Sequence, residues 1–235
     1  MKKTDIIRLR RAILPALLLI QVYSCKKEGN ITITDVNGNV YSTVTIGTQI
    51  WMSENLKATK FNDNSGITLV TNNNTWATTT NPAYCWYNND TTNKAKYGAI
   101  YNWYAVGTEK LCPTGWHVPT HEEFKILEMR LGMTQEEADA WDWRGTNQGT
   151  QLKNHNGWDN NGNGSNTSGF SALPGGYRWA VTGEFFNLGT LSYWWSSSEN
   201  ASNQGLYRRL DNIEPRVYAQ AVRKQGGKYV RCLRN

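Results

Sequence analysis

Histidine and cysteine are scarce in these 235 residues, with three of the first and four of the second. Three histidines without an HExxH pair leave little from which to build a catalytic zinc centre. His117 and His121 have the four-residue spacing that places two ligands on one helix face, but Pro119 lies between them and puts His117 ahead of any helix. His155 stands alone. No two cysteines share a CxxC spacing, so thiolate zinc and dithiol redox sites are not indicated. Ser196-Ser197-Ser198 has no glycines around it of the kind a nucleophile elbow needs. Spacing pairs none of Glu54, Glu184, Glu199 and Asp211 as a glycosidase requires. The sequence therefore offers no catalytic constellation. Charge is also sparse at 19%, whereas aromatic residues reach 12% and include 11 tryptophans, a composition of packed domains rather than disordered ones.

Long apolar runs are missing after residue 25, and the one near the start, Ala12 to Ile20, is well short of the roughly 20 residues a membrane span needs. It follows Lys2, Lys3, Arg8, Arg10 and Arg11 and precedes Val22-Tyr-Ser-Cys25, which is the layout of a signal peptide over residues 1–24. The cleavage region resembles a bacterial lipobox, with Ser24 before Cys25 and Tyr23 a less typical filler. Cys25 is then the lipidation site, and residues 25–30 are a lipidated tether. Lys26-Lys-Glu28 resembles the surface-export signal of Bacteroidota lipoproteins. The expected location is the outer membrane or cell surface, with several acyl chains making the anchor stable. An ordinary cleaved signal with a chance cysteine is the alternative.

The formal charge of +6 shrinks on inspection, because five basic residues and only one acid, Asp5, precede Cys25. The remaining chain carries about +2 and no polybasic patch, so nucleic acid is not an expected partner. Cys85, Cys112 and Cys232 are left in an oxidising setting, which suggests one disulfide and one odd thiol. Residues 31–235 suit one domain.

The chain opens as a β-meander: 31–35, a turn at Asn37-Gly38, 40–46, a turn at Gly47-Thr48, then 49–52. Residues 62–93 are crowded with Asn, Thr and Asp, which favour turns, and are expected to form long loops pinned by Trp76 and Tyr84-Cys-Trp-Tyr87. After Pro119, Thr120 and Glu123 have capping-box spacing, and Phe124, Leu127 and Leu131 share a face before Gly132. Thr134 and Glu137 repeat the box for a shorter helix reaching Trp141. Strand candidates follow at 169–173, 193–195, 216–222 and 228–233. The expected class is α+β, with a small helical cluster on irregular antiparallel sheets.

Several long motifs occur in order: Asp35-Val-Asn-Gly-Asn-Val-Tyr41, Ile46-Gly-Thr-Gln-Ile-Trp-Met-Ser-Glu-Asn-Leu56, Tyr97-Gly-Ala-Ile-Tyr-Asn-Trp-Tyr104, Leu111-Cys-Pro-Thr-Gly-Trp-His-Val-Pro-Thr120, Ser168-Gly-Phe-Ser-Ala-Leu-Pro-Gly-Gly-Tyr-Arg178, Tyr193-Trp-Trp-Ser-Ser-Ser-Glu199 and Val230-Arg-Cys-Leu-Arg234. Together they resemble the Fibrobacter succinogenes major paralogous domain, over essentially the whole chain after the tether. That family is widespread in exported and surface proteins of Bacteroidota and Fibrobacteres, and the resemblance brings no activity with it. It is distantly similar to the C-type-lectin-like fold shared with formylglycine-generating enzymes. Through Cys112-Pro-Thr-Gly-Trp116 and Cys232 near the end, that similarity implies a Cys112 to Cys232 bridge with Cys85 odd. Those enzymes use active-site cysteines, whereas Cys232 is the only one near the end here, so oxidase chemistry is not expected.

Aromatic side chains that stack on sugars suggest glycan binding, although most tryptophans in such a domain fill the core. Trp158 and Trp179 flank a loop-rich region and are expected to be exposed. Trp194 and Trp195, adjacent on a strand, should face opposite ways, so at most one belongs to any one core. Trp158, Trp179, Trp194 and Glu199 are the candidate ligand-binding residues. Asp159-Asn-Asn-Gly-Asn-Gly164 begins like an EF-hand loop, but its twelfth position is Phe170 rather than Glu, which removes that calcium site. Calcium in another geometry at Asp159, Asn161 and Asn163 stays open beside a plain Asn/Gly turn. The expected function is a non-enzymatic binding or adhesion module that displays its loops toward a glycan or a protein. The alternatives are a structural component meeting a surface protein, and an unrecognised polysaccharide-active enzyme.

Overall fold

The computed structural model describes residues 32–235; the expected signal peptide, the tether with Cys25, and residue 31 lie outside the described residues. The expected meander is present as β1 (Thr32–Thr34), β2 (Val40–Ile46) and β3 (Gln49–Met52), its turns closed by the pairs Thr34↔Val40 and Ile46↔Gln49. Next come β4 (Thr68–Leu69), α1 (Asn73–Thr78), β5 (Ala83–Cys85), α2 (Asn93–Tyr97), β6 (Ile100–Tyr101) and α3 (Trp103–Val106). The middle of the chain holds β7 (Trp116–His117), α4 (His121–Arg130), α5 (Gln135–Asp139), β8 (Asp142–Arg144) and α6 (Gln148–Leu152). The last part is β9 (Gly175–Arg178), β10 (Phe185–Leu188), β11 (Leu191–Ala201), β12 (Gln204–Asp211), β13 (Val217–Arg223) and β14 (Leu233–Arg234). No helix among the described residues is long and apolar enough to cross a membrane.

These elements make an α+β fold of three sheets: β1-β2-β3-β14-β7, β10-β9-β11-β12-β13-β8 and β4-β5-β6. Pairing is antiparallel except at β4–β5 and β9–β11. Both expected helices form behind complete capping boxes. In α4, the Thr120 hydroxyl accepts from the Glu123 N–H while the Glu123 carboxylate accepts from the Thr120 N–H, and α5 repeats this with Thr134 and Glu137. The second helix stops at Asp139, short of Trp141, because Ala140 is already extended.

Two strand expectations are corrected. Residues 169–173 are irregular, since Gly169 and Ser171 both take positive φ, which a strand does not accommodate. In 228–233 only Leu233 enters a strand, while Gly227, Lys228 and Tyr229 make single bridges to Arg178, Tyr101 and Trp194. Residues 62–93 are loop-rich as expected but contain α1, whose Trp76 is fully buried and donates its indole N–H to the Gln225 carbonyl at 2.7 Å.

The β11 strand divides the interior. Trp195 and Tyr193 on one face join Tyr41, Met52, Trp103 and Tyr207 in one core, whereas Trp194 on the other joins Trp51, Phe124, Leu127 and Phe170 in a second. Alternation along the strand thus buries both adjacent tryptophans, in different cores. The second core also holds ions: Glu128 of α4, 1% exposed, bridges Arg144 at 2.6 Å and Arg208 at 2.7 Å. Cys112 and Cys232 form the disulfide that the family resemblance implies, with Cα atoms 5.9 Å apart, and Cys85 is a buried free thiol.

Candidate functional site

The face of the six-stranded sheet that walls the first core carries a row of rings, buried at its middle and opening toward solvent at its ends. Register builds it: Trp195 opposes Tyr207, Tyr193 opposes Arg209, Arg209 opposes Tyr218, and Tyr218 opposes Trp143. Because side chains alternate along each strand, these residues all project from the same side. Neighbouring centroids lie 5.9 Å apart from Phe186 to Tyr177, 4.6 Å to Tyr193, 5.5 Å to Tyr207, 6.2 Å to Tyr218 and 5.1 Å to Trp143. Trp179 joins at 6.2 Å from Tyr177. The row is most open at its β9–β10 end, where Trp179 and Phe186 are 38% and 39% exposed; Tyr177, Tyr218 and Trp143 are half-buried, and Tyr193 and Tyr207 sit deepest.

Two cations are threaded into this row. The Arg209 guanidinium lies 4.9 Å from the Trp143 ring, 5.1 Å from Tyr218 and 6.0 Å from Tyr193, and its Nη2 donates to Asp211 at 2.8 Å. The Lys228 ammonium lies 4.4, 4.6, 4.7 and 5.8 Å from the rings of Tyr207, Tyr193, Trp195 and Tyr177. Burial pushes Lys228 down to about 7. The Tyr193 and Tyr207 hydroxyls are pushed well above the ordinary phenol range, chiefly by burial. Polar groups edge the row at Asp142, Gln220 and Asp211, with Gln220 donating to Asp142 at 3.2 Å.

A second feature is a cleft of about 680 Å³ between α3, β7 and the bulged part of β11, with Asn62, Trp103, Trp116, His117, Ser197 and Glu199 among its lining. Trp103 reaches its wall because Gly205 lacks a side chain: a Cβ there would stand 2.1 Å from the indole. The Trp103 N–H donates to the Ser196 carbonyl at 2.9 Å, and Lys224 covers the ring at 4.3 Å while pairing with Glu199 at 2.7 Å. His117 is held at both nitrogens, Nδ1 by Asn235 Oδ1 at 2.6 Å and Nε2 by the Glu123 carboxylate at 2.9 Å. Burial raises the affinity of Glu123 for its proton, but the Thr120 N–H and hydroxyl, then His117, together hold it below the usual range. The Ser198 hydroxyl accepts from the His121 N–H at 2.9 Å.

The four candidate ligand residues separate. Trp179 stands at the open end of the row and Glu199 lines the cleft. Trp158 is a correction: it is 4% exposed, its indole N–H bonded to the Ala172 carbonyl at 2.9 Å under the Lys153 ammonium, because the surrounding loop folds back over it. Trp194 is likewise enclosed, at 2%, with its N–H on Asn55, since its face of β11 packs toward α4. In the Asn/Gly loop, Asn163 Oδ1 accepts from the Trp158 N–H, and the Asp159 carboxylate packs where a side chain on Gly189 would stand. No group of three His, Cys, Asp or Glu side chains placed to hold a metal ion occurs among the described residues.

Sequence reading missed Tyr177, Tyr193, Tyr207, Tyr218 and Trp143 as a set. They lie on five strands, and only strand register brings them together. The alternation Leu206, Leu210 against Tyr207, Arg209 marks β12, but two adjacent arginines obscure it.

The family model of the Fibrobacter succinogenes major domain matches residues 44–234. No curated protein and no solved structure is significantly similar to the chain.

Proposed function

The chain belongs to the Fibrobacter succinogenes major domain family, and we propose that it is a non-enzymatic binding or adhesion module, lipid-anchored at the outer membrane or cell surface, that takes glycans on its aromatic row. The observation that carries this reading is the continuous run of rings from Phe186 to Trp143, with polar side chains at its edge. Sugar rings present flat C–H faces that such rings cover, while hydroxyls need donors and acceptors alongside. The C-type-lectin-like scaffold belongs to the same proposal as an analogy from sequence, and an analogy of fold is a weaker support than the site.

The full-length chain, purified in a detergent without a sugar headgroup, should retain polysaccharides in affinity electrophoresis. Trp179→Ala and Tyr177→Ala should each weaken retention about fivefold to tenfold, the loss of roughly 1 kcal/mol of stacking per ring. Retention of no polysaccharide overturns the glycan reading. In cells, palmitate should label the wild-type chain and leave Cys25→Ala unlabelled; equal labelling overturns the anchor.

A surface-protein partner is the second reading, favoured by the β9–β10 hairpin, which exposes Val181 and Leu188 beside Trp179 and Phe186. An apolar patch of this kind fits a protein better than a sugar. Silence toward polysaccharides with loss of cell-surface complexes in Val181→Ser would select it.

A further inference from the structure

We propose that the ligand of the aromatic row is an acidic glycan, a chain of uronic acid units whose carboxylates are met by Lys228 and Arg209. This rests on the binding reading above and names the ligand class for the same surface.

The argument begins with how Lys228 is held. Its backbone is fixed on both sides by Tyr101, whose N–H donates to the Lys228 carbonyl at 2.9 Å and whose carbonyl accepts from the Lys228 N–H at 3.0 Å. The side chain is 3% exposed and ends among four ring faces, yet among the described residues no oxygen accepts from Nζ and no carboxylate pairs with it. Ring faces attract an ammonium, but they accept none of its three N–H bonds in the way an anion does. Every other lysine enclosed to this extent has an oxygen partner: Lys153 donates to the Asp211 carbonyl and Lys224 to Glu199.

Arg209 also approaches the Tyr193 ring, at 6.0 Å against 4.6 Å for Lys228, and is the register partner of Tyr193 across the strand pair. Its Nη2 is clamped by Asp211, but its Nε is buried and has no partner. Asp211 is occupied, because its other oxygen accepts from the Ile213 N–H at 3.1 Å. Asp142 accepts from Gln220 at the β8 end of the row. Two cations with donor capacity left over therefore meet at one ring of the row, beside the more open rings of Tyr177 and Tyr218. A buried donor without a partner is costly, and an incoming carboxylate relieves that cost by charge-assisted hydrogen bonds. A neutral hexose offers only hydroxyls there. A uronic acid unit adds a carboxylate to a ring that can stack, which matches both halves of the site.

The test is calorimetry of the full-length chain, in a detergent without a sugar headgroup, against polygalacturonate and alginate oligosaccharides and against the same chains after reduction of their carboxyl groups to alcohols. The expected result is at least a tenfold preference for one of the acidic forms, with the gap closing in Arg209→Gln and in Lys228→Met. The comparison of ligands on the wild-type chain needs no variant, so a folding defect in either variant leaves the outcome readable. Equal affinity for acidic and reduced chains overturns the acidic preference and leaves the glycan reading standing. A preference that survives both variants overturns the assignment to Lys228 and Arg209. Silence toward every sugar overturns both readings.

Discussion

Lys228 is a cation whose enclosure should be visible in the stability of the whole protein. Burial brings it from an ordinary 10.5 down to about 7. Between those values the unfolded chain holds a proton that the folded chain has released, so the contribution of this group to stability rises with pH across that span and is most unfavourable below 7. Thermal melts should therefore show the midpoint climbing from pH 7 to 9, with a flatter profile in Lys228→Met. The range stops at 9 because Tyr193 and Tyr207, raised by burial, act in the opposite sense once unfolded tyrosines ionise near 10. A profile unchanged by the substitution would mean that the rings stabilise the ammonium enough to cancel its desolvation. His121 has the complementary behaviour: burial, then Arg208 and Arg144, bring it down to about 3, so stability tied to its neutral form fades as pH falls below 6.5.

Among the elements, α4 combines a legible beginning with a hidden middle. Its capping box could be read from Thr120 and Glu123 because both partners lie within four residues, and the same holds for Thr134 and Glu137. The Glu128 carboxylate could not, since in sequence it is one more polar residue of a helix, and its partners sit 16 and 80 positions away. The two contributions differ in size. Thr120→Ala should cost about 1 kcal/mol, the usual value of a cap. Glu128→Ala should cost roughly 3–5 kcal/mol, because it leaves Arg144 and Arg208 buried without their counter-charge. Urea titrations of the two variants separate these values, and a Glu128 variant no less stable than Thr120→Ala would show that the arginines find water or another acceptor. The aromatic row follows the same rule as Glu128: the alternation within β11 and β13 is local, but the strand order that aligns Tyr177, Tyr193, Tyr207, Tyr218 and Trp143 is not.

At the scale of the whole molecule, the Cys112–Cys232 bond closes a stretch of 120 positions and ties β14 beside β7 in the first sheet. Reduction, or Cys112→Ala with Cys232→Ala, should lower unfolding free energy by roughly 2–5 kcal/mol. An unchanged denaturation midpoint would show that the sheet contacts at Leu233 alone hold that end. The pairing was implied by a resemblance of motifs rather than by spacing, since three cysteines permit three pairings. The α+β class was legible from the meander and the two capped helices. The short helices α1, α2, α3 and α6 were not, because four to six residues leave too little periodicity to register.

The family match begins at residue 44, in the middle of β2, yet the fold does not begin there. Tyr41, with no exposed surface, donates its hydroxyl to Asp35 at 2.5 Å and accepts from the Lys57 N–H at 2.9 Å, clasping the first turn to the segment after β3. The evolutionary unit recorded by the match is thus shorter than the mechanical unit. A gene fragment trimmed to the matched limits would sever half of a strand and strip a filled socket from the first core. Any shuffling of this domain between proteins has to carry about a dozen further residues upstream, from Thr32, as part of the cassette.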